Sequence, residues 1–161
     1  MEFIIREMQK SEFSLLSVFL YNAIFVPQGH TAPPTSIIDT PEMQVYLRDF
    51  GENIHDRCLV AVKDENVVGA VWTRIMDDYG HIDDETPSFA ISVLESYRGL
   101  GIGTKLLEEM LSVLKSCGYI KASLAVQKAN YAVKMYQTAG FEIIDENDEE
   151  YIMLCKLNSE S

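Results

Sequence analysis

This chain is short of everything that would place it in a specialised structural class. Its 161 residues include 3 cysteines, Cys58, Cys117 and Cys155, odd in number and without ligand-like spacing. That offers neither a disulfide framework nor a zinc site, and it suits a reducing cytoplasm. Long apolar runs are missing: the longest, Leu15 to Val26, is broken by Ser17 and Asn22 and is too short to span a bilayer. The opening Met-Glu-Phe-Ile-Ile-Arg lacks the basic start and apolar body of a secretory signal. Positive charge is scarce as well. Against 25 Asp and Glu stand 13 Lys and Arg, a formal net charge of −12, which argues against a nucleic-acid partner. No linker rich in Pro, Gly or Ser divides the chain and no repeat recurs, so residues 1–161 are expected to form one domain.

What is present is 47% apolar residues, enough for a full core. The acid is gathered in runs at Asp77-Asp78, Asp83-Asp84-Glu85 and Asp145 to Glu150. These read as solvated surface, and the same field would draw in a cationic substrate such as an amine. Hydrophobic periodicity predicts a strand over Glu2–Met8 and a helix capped by Ser11 that runs to about Phe25. A Pro-rich loop follows, and Thr40-Pro41 starts a second helix that should end near Gly51. Two β-branched runs, Arg57–Lys63 and Val67–Met76, flank a hairpin turn at Asp64-Glu65-Asn66. Strands at Phe89–Val93, Tyr119–Val126, Phe141–Asp145 and Tyr151–Leu157 alternate with helices at Ile102–Leu114 and Asn130–Ala139. The expected order is β-α-α-β-β-β-α-β-α-β-β, a mixed α/β domain.

Between the strand ending at Val93 and the helix starting at Ile102 lies Tyr97-Arg98-Gly99-Leu100-Gly101-Ile102-Gly103-Thr104. A strand, a glycine turn and a helix start converge backbone N–H groups on one spot, where the helix dipole adds positive potential. The expected ligand is a phosphate or pyrophosphate. A dinucleotide fingerprint fails here, because Gly-x-Gly-x-x-Gly started at Gly99 ends on Thr104 and started at Gly101 ends on Leu106. No acidic ribose partner follows in Tyr119–Val126. A Walker loop fails too, since Gly103-Thr104-Lys105 has its last two residues in reverse order.

Arg98-x-x-Gly101-x-Gly103 does match Arg/Gln-x-x-Gly-x-Gly/Ala, the pyrophosphate motif of the GNAT N-acetyltransferase superfamily. Asn130-Tyr-Ala132…Tyr136…Gly140-Phe141 matches that family's second segment, one helix and one strand further on. The chain therefore resembles a GNAT domain, well over about residues 57–157 and by element order alone before that. The resemblance implies a central, mostly antiparallel, twisted sheet flanked by helices. It implies an acetyl-CoA-dependent N-acetyltransferase that moves acetyl to a primary amine by direct attack on the thioester, without a metal. Ile91, Ser92 and Val93 would pair with the pantetheine arm through their backbone. Gly99, Leu100, Gly101, Ile102, Gly103 and Thr104 would hold the pyrophosphate, with Gly101 and Gly103 required to stay small, and Arg98 would either add charge to that site or be a surface arginine. Lys105 would either meet the ribose phosphate or remain a solvated helix lysine.

Tyr136 would protonate the departing thiolate, although its helical face would equally suit a core tyrosine. Asn130 would cap its helix, hydrogen-bond the cofactor, or both. The amine pocket would draw on Phe25–Pro41 and Trp72–Glu85, with Phe25, Val26, Pro27 and Trp72 as apolar walls. The strands Ser88–Val93 and Tyr119–Val126 contain no acid, so the general base stays open between His81, Asp83, Asp84, Glu85, Glu95, His30 and a water relay. The acceptor is expected to be a small-molecule or peptide amine, and GNAT domains often form homodimers. The alternative reading is a non-catalytic acyl-CoA-binding sensor or regulatory module.

Overall fold

A computed structural model describes residues 2–26 and 28–157. It contains β1 (Ile4–Glu7), α1 (Leu15–Ala23), α2 (Pro41–Gln44), β2 (Arg57–Lys63), β3 (Asn66–Arg74) and β4 (Ser88–Val93). It continues with α3 (Ile102–Ser116), β5 (Lys121–Gln127), α4 (Ala132–Ala139), β6 (Phe141–Glu146) and β7 (Glu150–Lys156). This is the element order read from the sequence. The strands form one seven-stranded sheet in the order β1-β2-β3-β4-β5-β7-β6. Every neighbouring pair is antiparallel except β4 and β5.

Alternation along the strands divides the core between the two sheet faces. One face packs Leu59, Val71, Phe89, Leu124 and Met153 under α3, whose buried stripe is Ile102, Leu106, Leu107, Met110 and Leu114. α4 adds Tyr136 to that face. The other face packs Val60, Ala70 and Trp72 against Leu16, Phe19 and Leu20 of α1. Trp72 is fully buried and donates its indole N–H to the Tyr46 carbonyl at 3.2 Å. It is a core residue and not a pocket wall.

The second helix is far shorter than its sequence suggests, ending at Gln44 instead of near Gly51. Side chains from β3 explain the loss. Arg74 donates to the Val45 carbonyl and Trp72 to the Tyr46 carbonyl, so acceptors that a longer helix would use are taken. Asp49 then enters the left-handed region at φ 55 and the chain turns away. The first helix is also split, since residues 10–12 form a separate 3₁₀ turn. There Glu12, and not Ser11, organises the turn: it accepts the Gln9 N–H at 2.9 Å and grips Arg6 of β1 with both oxygens, at 2.9 and 2.8 Å.

Those hydrogen bonds, the Arg6 contact first, hold the Glu12 carboxyl at about 2, below its ordinary 4.5. A lowered folded-state value stabilises the fold above the unfolded value and is lost as pH falls through the folded one. Glu12→Gln should therefore melt below the wild type at neutral pH, with the gap closing between pH 4.5 and about 2. Paired thermal melts across that window check it.

Candidate functional site

β4 and β5 part almost as soon as they meet. Their register holds one position, Ser88 with Ser123, fixed by the Ser123 N–H donating to the Pro87 carbonyl at 3.0 Å. On its other side β4 is paired with β3 along its whole length. Beyond Ser88, one edge of β4 therefore faces a wedge-shaped gap.

The hydrogen-bond alternation says which groups line that gap. Leu94 donates to the Val68 carbonyl, so Leu94, Ser92 and Ala90 turn their backbone groups to β3. Ile91 and Val93 turn theirs to the gap. The Val93 carbonyl is already satisfied, by Asn22 Nδ2 and by Arg98 Nε, each at 2.9 Å. That leaves the Ile91 N–H and C=O and the Val93 N–H unpaired among the described residues. Ser92 differs from its neighbours: its backbone faces β3, and its hydroxyl accepts from Asn22 at 2.9 Å.

Where β4 ends, the chain makes a 3₁₀ turn over Glu95–Tyr97 and enters the glycine segment. Gly99 and Gly101 have φ of 78° and 85°, a region that L side chains occupy only with strain. Gly101 is the N-cap of α3 and supplies no side-chain cap. Among the described residues, no acceptor takes the N–H groups of Gly99, Leu100, Gly101, Ile102, Gly103 or Thr104. The first intrahelical bond comes from Lys105, to the Gly101 carbonyl. Six free donors at the N-terminus of a helix of 15 residues form a site for an anion. Gly103 needs no special φ, and a Cβ there would meet only ordinary contacts, Met135 Sδ at 3.6 Å and Val93 Cγ2 at 3.7 Å. The protein itself therefore does not require glycine at that position. The same contacts show that α4, the end of β4 and the start of α3 converge.

The remaining side chains of the glycine segment behave differently from one another. Arg98 is bonded to the Val93 carbonyl and, at 3.3 Å, to the Asn22 carbonyl, so it straps α1 to β4. Lys105 is exposed and lies 3.9 Å from Glu109. Ile102 points into the core, while Leu100 is exposed.

Tyr136 lies beneath the gap. Its ring makes an edge contact with Phe141, which in turn contacts Phe89 of β4. The residue is buried, and its hydroxyl has no hydrogen-bond partner among the described residues. Burial pushes the phenol well above its ordinary 10, so it holds its proton at neutral pH. Asn130 Oδ1 accepts the Ala132 N–H at 2.9 Å and thereby caps α4, leaving its amide N–H₂ unused by the described residues.

The acidic candidates are dispersed. Asp84, Glu85, Glu95 and His30 are exposed, and Asp83 bonds Thr86 at 2.7 Å and lies 3.3 Å from Lys121. His81 donates from Nδ1 to the Met76 carbonyl at 3.0 Å. Phe25 is half-buried, Val26 is exposed, and Pro27 lies outside the described residues. Sequence reasoning missed two residues that sit at the gap, Asn22 and Asp78. A signal existed for Asn22, a polar residue interrupting the apolar run of α1. Asp78 resembled the solvated acid around it.

Asn22→Ala should remove two partly buried hydrogen bonds, about 1–2 kcal/mol in all, and free one partner of the Val93 carbonyl. We expect a melting temperature lower by roughly 2–8 °C, measured by scanning calorimetry.

Comparison with known proteins agrees with this geometry. Residues 25–141 match the model of the acetyltransferase (GNAT) family. Over 86 residues the chain is 36% identical to N-alpha-acetyltransferase 50 of Danio rerio, covering 52% of this chain and 50% of that protein. Over 62 residues it is 36% identical to the ribosomal protein bS18-alanine N-acetyltransferase of Haemophilus influenzae, covering 38% and 42%. The matches span half or less of these curated relatives. The PaiA N-acetyltransferase of Thermoplasma acidophilum, solved with coenzyme A, superposes with a TM-score of 0.72 at 18% identity, over 97% of this chain and 99% of that one. Among the described residues no group of His, Cys, Asp and Glu is arranged to hold a metal ion, and no helix is long and apolar enough to cross a membrane.

Proposed function

The chain belongs to the GNAT acetyltransferase family, and we propose that it transfers the acetyl group of acetyl-CoA to a primary amine. One observation carries this reading: the open edge of β4 leads through a single 3₁₀ turn to the free N–H groups of Gly99–Thr104. An extended, amide-bearing ligand that ends in a pyrophosphate would satisfy both. Ile91 would pair with the pantetheine amides as an extra strand does. Gly99 to Thr104 would take the pyrophosphate on backbone donors, and Arg98 would act through Val93 instead of touching phosphate. The Val93 N–H would polarise the thioester carbonyl, and Asn22 and Arg98 hold the next peptide along through the Val93 carbonyl. Tyr136 would give its proton to the sulfur as the amine displaces it. Acetyl-CoA supplies the activated acyl group, and the protein supplies alignment and protons.

The described residues share one sheet with a core on each face, which supports reading 1–161 as a single N-acetyltransferase domain. Three unpaired cysteines, two of them buried, favour a reducing, cytoplasmic setting. Both relatives are named as N-acetyltransferases, one for N-alpha transfer and one for a ribosomal-protein alanine, so peptide α-amines belong beside polyamines in any acceptor screen. The test is titration with acetyl-CoA by calorimetry, followed by a thiol-release assay over such a panel. Micromolar binding with amine-dependent thiol release supports the enzyme. Binding without release on any amine would make the chain an acyl-CoA-binding module.

A further inference from the structure

Asp78 belongs to the loop between β3 and β4, where the acidic neighbours Asp77, Asp84 and Glu85 are exposed. Asp78 is not. Its Oδ1 accepts the Ser88 hydroxyl at 3.2 Å, and its Oδ2 accepts the Tyr46 hydroxyl at 3.0 Å. Ser88 is the residue at which β4 and β5 meet before parting, and its hydroxyl lies 3.4 Å from that of Ser123. The carboxylate is therefore tied to the apex of the gap.

The loop is held there closely. Ser123 donates to the Gly80 carbonyl at 2.7 Å, and a Cβ on Gly80 would lie 3.1 Å from the backbone of Leu124 and Ala125. Gly80 thus rests on β5 and fixes Asp78 two residues away. Side-chain alternation settles the face. Ala90, next but one to Ser88 on β4, packs with the α1 core, whereas Phe89 packs with α3 and α4. Asp78 consequently approaches the gap from the α1 face, and Tyr136 approaches it from the opposite one.

We infer that Asp78 is the proton acceptor for the incoming amine, with Tyr46 and Ser88 as its positioning residues. This rests on the acetyltransfer reading above. An acceptor ammonium entering on the α1 face loses one proton to Asp78, and its nitrogen then attacks the thioester carbon. As the N–C bond forms and the C–S bond breaks, nitrogen sheds a second proton to solvent and Tyr136 protonates the sulfur. Solvent returns a proton to Tyr136 and removes the one on Asp78. The balance is amide, thiol and one proton released per ammonium consumed.

The charged and titratable groups facing Asp78 are Tyr46 from the turn after α2, His81 from its own loop and Glu150 from β7. Burial is the main influence and raises the carboxyl above its ordinary value, while the Tyr46 and Ser88 hydrogen bonds and the His81 charge oppose that rise. The Glu150 charge lies close enough for Asp78 to raise the Glu150 carboxyl in turn.

The experiment uses the full chain, acetyl-CoA and whichever amine the wild type acetylates fastest. Asp78→Asn should bind acetyl-CoA as the wild type does and lose about 10²–10⁴-fold in kcat/KM at neutral pH. Its loss should shrink with amines of low pKa, which arrive already deprotonated. Tyr46→Phe removes one hydrogen bond that holds the carboxyl down, so the acidic limb of its kcat/KM profile should move to higher pH. Asp77→Asn, one residue away and exposed, should match the wild type. An active wild type whose Asp78→Asn variant keeps its rate, or loses it equally on all amines, would overturn the role of Asp78. A wild type that binds acetyl-CoA but acetylates nothing would overturn the acetyltransfer reading itself.

Discussion

Tyr136→Phe should lower kcat by about 10²–10⁴-fold and leave acetyl-CoA affinity within roughly twofold. The substitution removes one oxygen from a ring whose packing against Phe141 is unaffected. No protein group among the described residues hydrogen-bonds that oxygen, so little stability is lost with it. A residue kept only for core packing would lose neither turnover nor affinity when cut back to Phe. One that merely contacts the cofactor would lose both by similar factors. Steady-state kinetics beside calorimetric titration separates these outcomes. The phenol is raised by burial, so its loss through ionisation falls well above neutral pH, and the wild-type rate should not decline on that account between pH 7 and 9.

Gly101→Ala should cost stability and affinity in very different proportions. The residue sits at φ 85°, where an L side chain costs about 1–2 kcal/mol. A Cβ there would meet nothing within 4 Å, so strain is the only penalty inside the protein. Gly118 provides a matched control at the other end of α3, with φ 93° and equally open surroundings. Both alanine variants should lose about the same stability. Only Gly101→Ala should weaken acetyl-CoA, by about 100-fold or roughly 2.7 kcal/mol, because its methyl would stand in the open space before the proposed pyrophosphate donors. Equal affinities in the two variants would mean that the anion does not approach Gly101.

Much of this site can be read in the chain itself, and the exceptions share a cause. β2 matches its sequence pattern residue for residue, because β-branched alternation and a left-handed turn at Asp64-Glu65 leave little choice. The glycine turn is equally readable, since positive φ limits which residues can stand there. The early end of α2 is not legible because the competing side chains, Trp72 and Arg74, lie 26 and 29 residues from the carbonyls they bond. Ser92, Arg98 and Asn22 form one hydrogen-bonded strap, but the family resemblance singles out only the first two and cannot show that they bond inward. Asp77 and Asp78 are adjacent and chemically identical. One is solvated and the other is fixed at the apex of the gap, and a loop without periodicity carries no mark of that difference.

The central claim is that the space between β4 and β5 and the turn Gly99–Thr104 together bind one acetyl-CoA molecule, with its sulfur at Tyr136. A crystal structure with coenzyme A tests this most directly. The pyrophosphate should lie within about 3 Å of backbone nitrogens between Gly99 and Thr104. The pantetheine should be bonded to Ile91, with the sulfur within reach of Tyr136 Oη. Coenzyme A bound elsewhere, or bound with its sulfur turned away from Tyr136, would contradict it.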